Sequence, residues 1–203
     1  MVYFYQSQPE GSLRSYQVVT GKDKFENDLL IKWGYRELGY VWFHVDNYSS
    51  GHIYLKLFAD EKSIADVPQE VVNDCLQLCK SESIQGNKMS HCTILCTPWH
   101  NLRKSKDFKP GEVSFKSLQR CQKLVCHGRD QKLLNRLAKT RVELFEDVEE
   151  TLHRAKKTKD GDFFLNYIQV MKERLLEEEK ERKRLKKLSK KREISRENIH
   201  QDV

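Results

Sequence analysis

The chain has 203 residues, with 37 Lys+Arg against 30 Asp+Glu, 38% apolar residues and 33% charged ones. That length holds one modest domain, or one domain with an appendage, and excludes a large multidomain enzyme. No apolar run approaches the roughly 18 residues that cross a bilayer, and the start, MVYFYQSQPEGS, lacks the basic and apolar segments of a secretory leader, so neither a transmembrane segment nor export is expected.

Val2 to Tyr5 and Tyr16 to Thr20 read as short strands. Gly21 then turns the chain into a helix with Phe25, Leu29 and Trp33 at helical spacing. The helix mouth, TGKDKFEND, offers outward-pointing amides beside Lys22 and Lys24, which suit a phosphate or carboxylate. It lacks the spacing of a P-loop or of a dinucleotide site, and an ordinary helix start is the more frequent explanation.

Tyr40 to Val45 and His52 to Phe58 read as two strands around DNYSSG. Strand side chains alternate between faces. Val41, Phe43 and Val45 therefore share one face of the first strand and Ile53, Leu55 and Leu57 one face of the second; if the strands are neighbours, the opposite faces, Tyr40, Trp42 and His44 with His52, Tyr54 and Lys56, merge into one surface. Rings beside cations on a sheet suit nucleic acid, because bases stack on aromatic faces and phosphates seek the cations. The competing reading covers this face with a helix and makes Trp42 core, and composition favours it slightly.

A helix is expected from near Asp66, capped by that carboxylate, with Pro68 in its first turn and Val71, Cys75 and Leu78 on its apolar stripe, ending by Gly86. Strands are expected at Cys92 to Thr97, Val113 to Leu118 and Gln122 to Cys126, then a helix from Asp130 to Ala138. The run TPWHNLRK, with Trp99, His100, Arg103 and Lys104, reads either as an extension of the basic aromatic surface or as a loop with a buried Trp. The six cysteines, at 75, 79, 92, 96, 121 and 126, lack the C-x-x-C pairs with which zinc sites usually begin. They read as buried reduced thiols. The body is α+β with short strands and packed helices.

Beyond Phe163 the pattern changes. Phe164, Ile168, Met171 and Leu175 form one apolar stripe, which lapses before the three or four heptads of a stable coiled coil. Glu178 to Arg182 and Glu179 to Lys183 are helix-supporting pairs. From Lys180 to Arg192 there are nine bases and one acid, a net charge of +8, while the other 190 residues carry 28 bases and 29 acids. The body is neutral and the tail is the cation. All 20 aromatic residues lie at or before Tyr167, so the end of the chain contributes little to a core and its last residues read as disordered. The expected division is 1–148 for the folded domain and 149–203 for a charged helical extension. Within that extension the arm 180–192 attracts polyanions through counterion release: Arg182, Lys183, Arg184, Lys186, Lys187, Lys190, Lys191 and Arg192.

The blocks GKDKFENDLLIKW, VWFHVDNYSSGHIYLKL, SIQGNKM, TPWHNLRK and LNRLAKTRVELF closely resemble the NFACT-R family over roughly residues 1 to 148. The resemblance implies a single RNA-binding domain in a translation setting, followed by a long charged helix. Its partner would be RNA rather than DNA, with the ribosome or tRNA as the larger assembly. The family's signature, an acid followed by Trp and His at alternate positions, falls on Tyr40, Trp42 and His44. Tyr40 stands where the acid is expected, so a metal or proton-transfer role for that acid does not carry over, whereas stacking on Trp42 does. Gly21, Lys22, Asn27, Asp28, Ser50 and His52 match the rest of the pattern. Activities resident in other domains of the larger family members are not implied.

The expected function is non-enzymatic nucleic-acid binding in the cytoplasm, with the nucleus a second compartment, and with neither cofactor nor metal. Two other readings stand beside it. One is a phosphodiester-acting or metal-dependent enzyme using His44, Asp46 and His52. The other is a scaffold that docks a protein partner through the 164–175 stripe.

Overall fold

The computed structural model describes residues 2–144 and 148–201, with side chains described over 2–143 and 148–189. The elements are β1 (Val2–Ser7), β2 (Tyr16–Gly21), α1 (Lys24–Trp33), β3 (Tyr40–Val45), β4 (Ile53–Lys56), α2 (Gln69–Ser81), β5 (Cys92–Pro98), β6 (Leu102–Arg103), β7 (Ser114–Phe115), β8 (Gln122–Cys126), α3 (Gln131–Lys139), β9 (Val142–Leu144), α4 (Val148–Thr158) and α5 (Phe163–Gln201). Seven strands form one antiparallel sheet in the order β8-β5-β3-β4-β2-β1-β9, and β6 and β7 form a separate hairpin. The class is α+β.

The alternation in β3 and β4 acts as the sequence dictates. Val41 faces Leu55, and Phe43 faces Ile53 across the ladder. With Val18, Ile94 and Cys96 they form one apolar surface that packs under Val71, Cys75, Leu78 and Cys79 of α2 and Leu137 of α3. The cysteines are free thiols, and five of the six are buried in the core.

The opposite face carries a row of rings and β-branched residues across four strands: Phe4 opposite Val19, Val19 opposite Tyr54, and Tyr54 opposite Trp42. This face is covered. Trp99 lies 4.2 Å from the Tyr54 ring and 5.5 Å from that of Tyr40, and its indole N–H donates to the Leu30 carbonyl of α1. It sits so close to Gly34 that a Cβ there would fall 2.1 Å from its Nε1, so the end of α1 has to be glycine.

Several local expectations are corrected. In α1 the buried residues are Asn27, Leu30 and Ile31, whereas Phe25 is 62% exposed. Both sets fit a 3.6-residue period, and only the position of the sheet selects between them. Asp66 belongs to a separate capping-box turn with Ser63, and α2 starts after Pro68 without a side-chain cap. The strand expected over Val113 to Leu118 shrinks to Ser114–Phe115.

The chain divides into two compact units, Met1–Phe163 and Phe164–Val203. The first includes α4, whose Val148, Leu152 and Ala155 are buried. In the second, α5 is one helix through Gln201, with exposed side chains from Glu173 to Ser189. Glu179 pairs with Lys183 as expected, but Glu178 is taken by Arg174. The side chains from Lys190 onward lie outside the described residues, and of the end expected to be disordered the backbone is helical through Gln201, with 202 and 203 outside the described residues. No helix among the described residues is long and apolar enough to cross a membrane.

Candidate nucleic-acid interface

The loop from β2 into α1 is shaped by two short side chains. Asp23 caps the helix, accepting from the backbone N–H groups of Glu26 at 3.1 Å and Phe25 at 2.9 Å, and the same bonds hold its carboxyl below the usual range. Asn27 Oδ1 accepts from the Gly21 N–H at 3.1 Å. A Cβ at Gly21 would lie 2.6 Å from that oxygen and 2.7 Å from the Asn27 backbone nitrogen, so no side chain fits there. Gly21→Ala is therefore expected to destabilise the domain by more than about 1 kcal/mol, read as a lower midpoint in urea; an unchanged midpoint would show that the loop gives way freely. Lys22 and Lys24 are exposed beside this turn.

Across from the loop stands the histidine pair. The Trp42 indole N–H donates to His52 Nδ1 at 2.9 Å, which fixes that nitrogen as the acceptor and leaves Nε2 as the donor. The His44 and His52 ring centres are 4.8 Å apart, and His44 is stacked parallel on Trp42 at 5.5 Å. Burial pushes His52 down to about 3, with the neighbouring His44 and Lys104 acting in the same direction. Burial also lowers His44, against the opposing pull of the Val45 backbone and Asp46. Both imidazoles are consequently neutral at pH 7. In the connection between the strands, Ser50 Oγ accepts from the Val45 N–H and donates to the Gly51 carbonyl, each at 3.0 Å.

These parts meet in a cleft of about 440 Å³ lined by Lys22, Lys24, Asn27, His44, Ser50 and His52, with Gly111 arriving from a distant loop. Two cations at the rim, a hydroxyl and neutral imidazole edges can together contact a phosphate and orient a sugar or base edge, whereas the helix mouth expected to bind an anion is filled by the Asp23 carboxylate, and Glu82 adds a second acid to the lining. The sequence places five of the expected contacts here: Lys22, Lys24, His44, Ser50 and His52.

The aromatic half of the expected surface is not available. Trp42 is 1% exposed and Tyr54 is 0% exposed, so neither ring can receive a base. Trp42, His44 and Tyr54 do share one sheet face, but α1, Trp99 and Phe115 close over it; Phe115 lies 5.8 Å from the Trp42 ring. Burying that much ring surface stabilises the fold by more than stacking one base would return. Lys56 is likewise diverted: its ammonium donates to the carbonyls of Leu38 at 2.6 Å and Gly161 at 2.8 Å. Trp99 is 1% exposed, so the Trp of the TPWHNLRK run is buried, but the run is not the expected loop: it joins the end of β5 to β6 through one tight helical turn. Asp46 accepts from Lys123 at 2.8 Å. No group of three metal-binding side chains occurs among the described residues.

The contribution of Gly111 was not legible locally. Its φ of 82° and the preceding Pro110 mark a turn, but only the fold carries that turn to His52. The turn is fixed by Asp28, which accepts from the Gly111 N–H at 3.1 Å and pairs with Lys104. On the second unit, Arg182, Lys183, Arg184, Lys186 and Lys187 are exposed on α5.

The NFACT protein RNA binding domain matches residues 1–117. Protein JLP2 of Saccharomyces cerevisiae is 69% identical over 191 residues, covering 94% of this chain and 92% of that one. Coiled-coil domain-containing protein 25 of Bos taurus is 42% identical over 149 residues, 73% of this chain and 70% of that one. Among solved structures, the C-terminal region of the fibronectin/fibrinogen-binding protein from Streptococcus suis aligns with a TM-score of 0.51 at 18% identity, over 68% of this chain and 49% of that one, a likeness of fold.

Proposed function

The chain belongs to the NFACT-R family of RNA-binding domains, and on that premise we propose that it is a non-enzymatic RNA-binding protein of the cytoplasm, working in a translation setting with ribosomal RNA or tRNA as its ligand. Family membership is the observation that carries the RNA-binding part of this reading. The neutral cleft with Lys22 and Lys24 at its rim serves as a shape-reading contact, and the arm 180–192 as a phosphate grip. A non-enzymatic role is supported by His52. A ring held near a pKa of about 3 is a poor proton acceptor at neutral pH, and Asp46 is engaged by Lys123.

Titrating labelled RNA over a salt series tests the assignment. Deleting residues 176–203 is expected to flatten the plot of log affinity against log salt by about four, for roughly five engaged charges. A deletion variant with the parent's slope would remove the arm from the interface. Crosslinking in cells, followed by sequencing of the attached RNA, is expected to return ribosomal RNA or tRNA; recovery of neither would remove the translation setting.

A further inference from the structure

A second cleft, of about 540 Å³, opens among α1, the segment from Leu102 to Phe108 and α4. Its lining contains six cations, Lys32, Arg103, Lys104, Lys106, Lys116 and Lys156, and one acid, Asp28. Lys104 is spoken for, because it pairs with Asp28 and donates to the carbonyls of Lys109 at 2.6 Å and Glu112 at 3.2 Å. Among the described residues, none of the other five has a carboxylate within 4.0 Å, so the cleft holds a net charge of about +5. The body outside the arm is close to neutral, so this is a concentration of charge produced by folding. It is supplied by Lys32, the stretch from Arg103 to Lys116, and Lys156, each at least forty residues from the next in the chain.

The cations also crowd one another. Burial and the nearby Lys116 both lower the pKa of Lys156, a repulsion that an anion would relieve. Lys32 and Lys156 lie over the half-buried Trp33 ring at 5.5 Å and 5.6 Å, and the nearby acid Glu149 accepts from that indole at 3.2 Å. The lining also has apolar residues, Ile31, Leu102 and the half-buried ring of Phe108. A positively charged groove with an accessible ring is the arrangement that holds single-stranded nucleic acid, phosphates on the cations and a base on the ring. The stacking ring expected at Trp42 is thus absent from the sheet, and Phe108 is the aromatic ring that lines this cleft.

We infer that this cleft is a second binding site for single-stranded RNA, with its phosphates on Lys32, Arg103, Lys106, Lys116 and Lys156 and a base on Phe108. The inference rests on the RNA-binding reading above and places part of the affinity on the folded domain rather than the arm.

The test uses the full chain and a short labelled oligouridylate over a salt series. The triple variant Lys106→Gln, Lys116→Gln and Lys156→Gln keeps a hydrogen-bond donor at each position, including the one Lys116 donates to the His100 carbonyl at 2.6 Å. It is expected to reduce the slope by about two and the affinity on the order of a hundredfold at 0.1 M salt. Phe108→Leu, which retains apolar bulk, is expected to lower affinity about tenfold with the slope unchanged. Melting curves matching the parent's establish that the variants are folded. If the parent binds and the folded variants bind as well as it does, this site is overturned while the RNA-binding reading stands. A parent that binds no oligonucleotide removes both.

Discussion

Replacing Trp42 with alanine is expected to cost about 3–5 kcal/mol of folding free energy, a large share of the roughly 5–15 kcal/mol that holds an ordinary domain together. The ring is 1% exposed and packed beside His44, His52 and Phe115. Its removal opens a cavity and deprives His52 Nδ1 of the donor it has at 2.9 Å. An acceptor left buried without a partner adds to the loss. The measurement is the urea midpoint of the full chain, followed by RNA binding under conditions where the variant is still folded. A surface stacking residue would behave in the opposite way, with an unchanged midpoint and weakened binding. That outcome would show that the covered face opens in solution.

The second large effect is linked to acid. His52 titrates at about 3 in the folded chain and near 6.5 when exposed, so between those values the unfolded chain carries a proton that the native one does not. Its contribution to stability is therefore fully present above pH 6.5 and is lost as the pH falls toward 3, at about 1.36 kcal/mol per unit. Glu82 works in the opposite sense. Its carboxyl packs so close to Gly51 that a Cβ there would fall 1.6 Å from Oε2, and burial pushes it up to about 7. It takes up a proton in the native state first and so favours folding as the pH falls from 7 toward 4.5. The two effects mask each other in a single stability curve. A His52→Gln variant, whose side-chain oxygen can still accept from Trp42, separates them. The difference in unfolding free energy between parent and variant is expected to shift against the parent by on the order of 3 kcal/mol between pH 6.5 and pH 4. A difference that stays flat over that range would mean that His52 titrates normally and is in contact with water.

The strand alternation of Tyr40 to Val45 and His52 to Lys56 was sufficient to assign the side chains of each strand to its faces, while the pairing of β3 with β4 was shown by the structure. The apolar stripe of Val71, Cys75 and Leu78 located α2, and the blocks from Gly21 to Leu57 carried the family. The count of bases located the cationic arm without reference to any fold. These features were readable because periods of 2 and 3.6, local charge runs and ordered blocks are properties of neighbours in the chain. The sequence did not show whether the face with Trp42 and Tyr54 meets water. Tyr, Trp, His and Lys are stable either exposed or covered, and the cover comes from Trp99 and Leu30, residues distant in sequence. The second cleft was equally out of reach, since Lys32, Arg103, Lys116 and Lys156 look like scattered surface charge until the packing of α1 and α4 and the loop through Phe108 brings them to one place. The sequence by itself therefore determined the class, the family and the cationic tail. Burial and long-range proximity were decided by tertiary structure, because each depends on which distant segment excludes water from a given side chain.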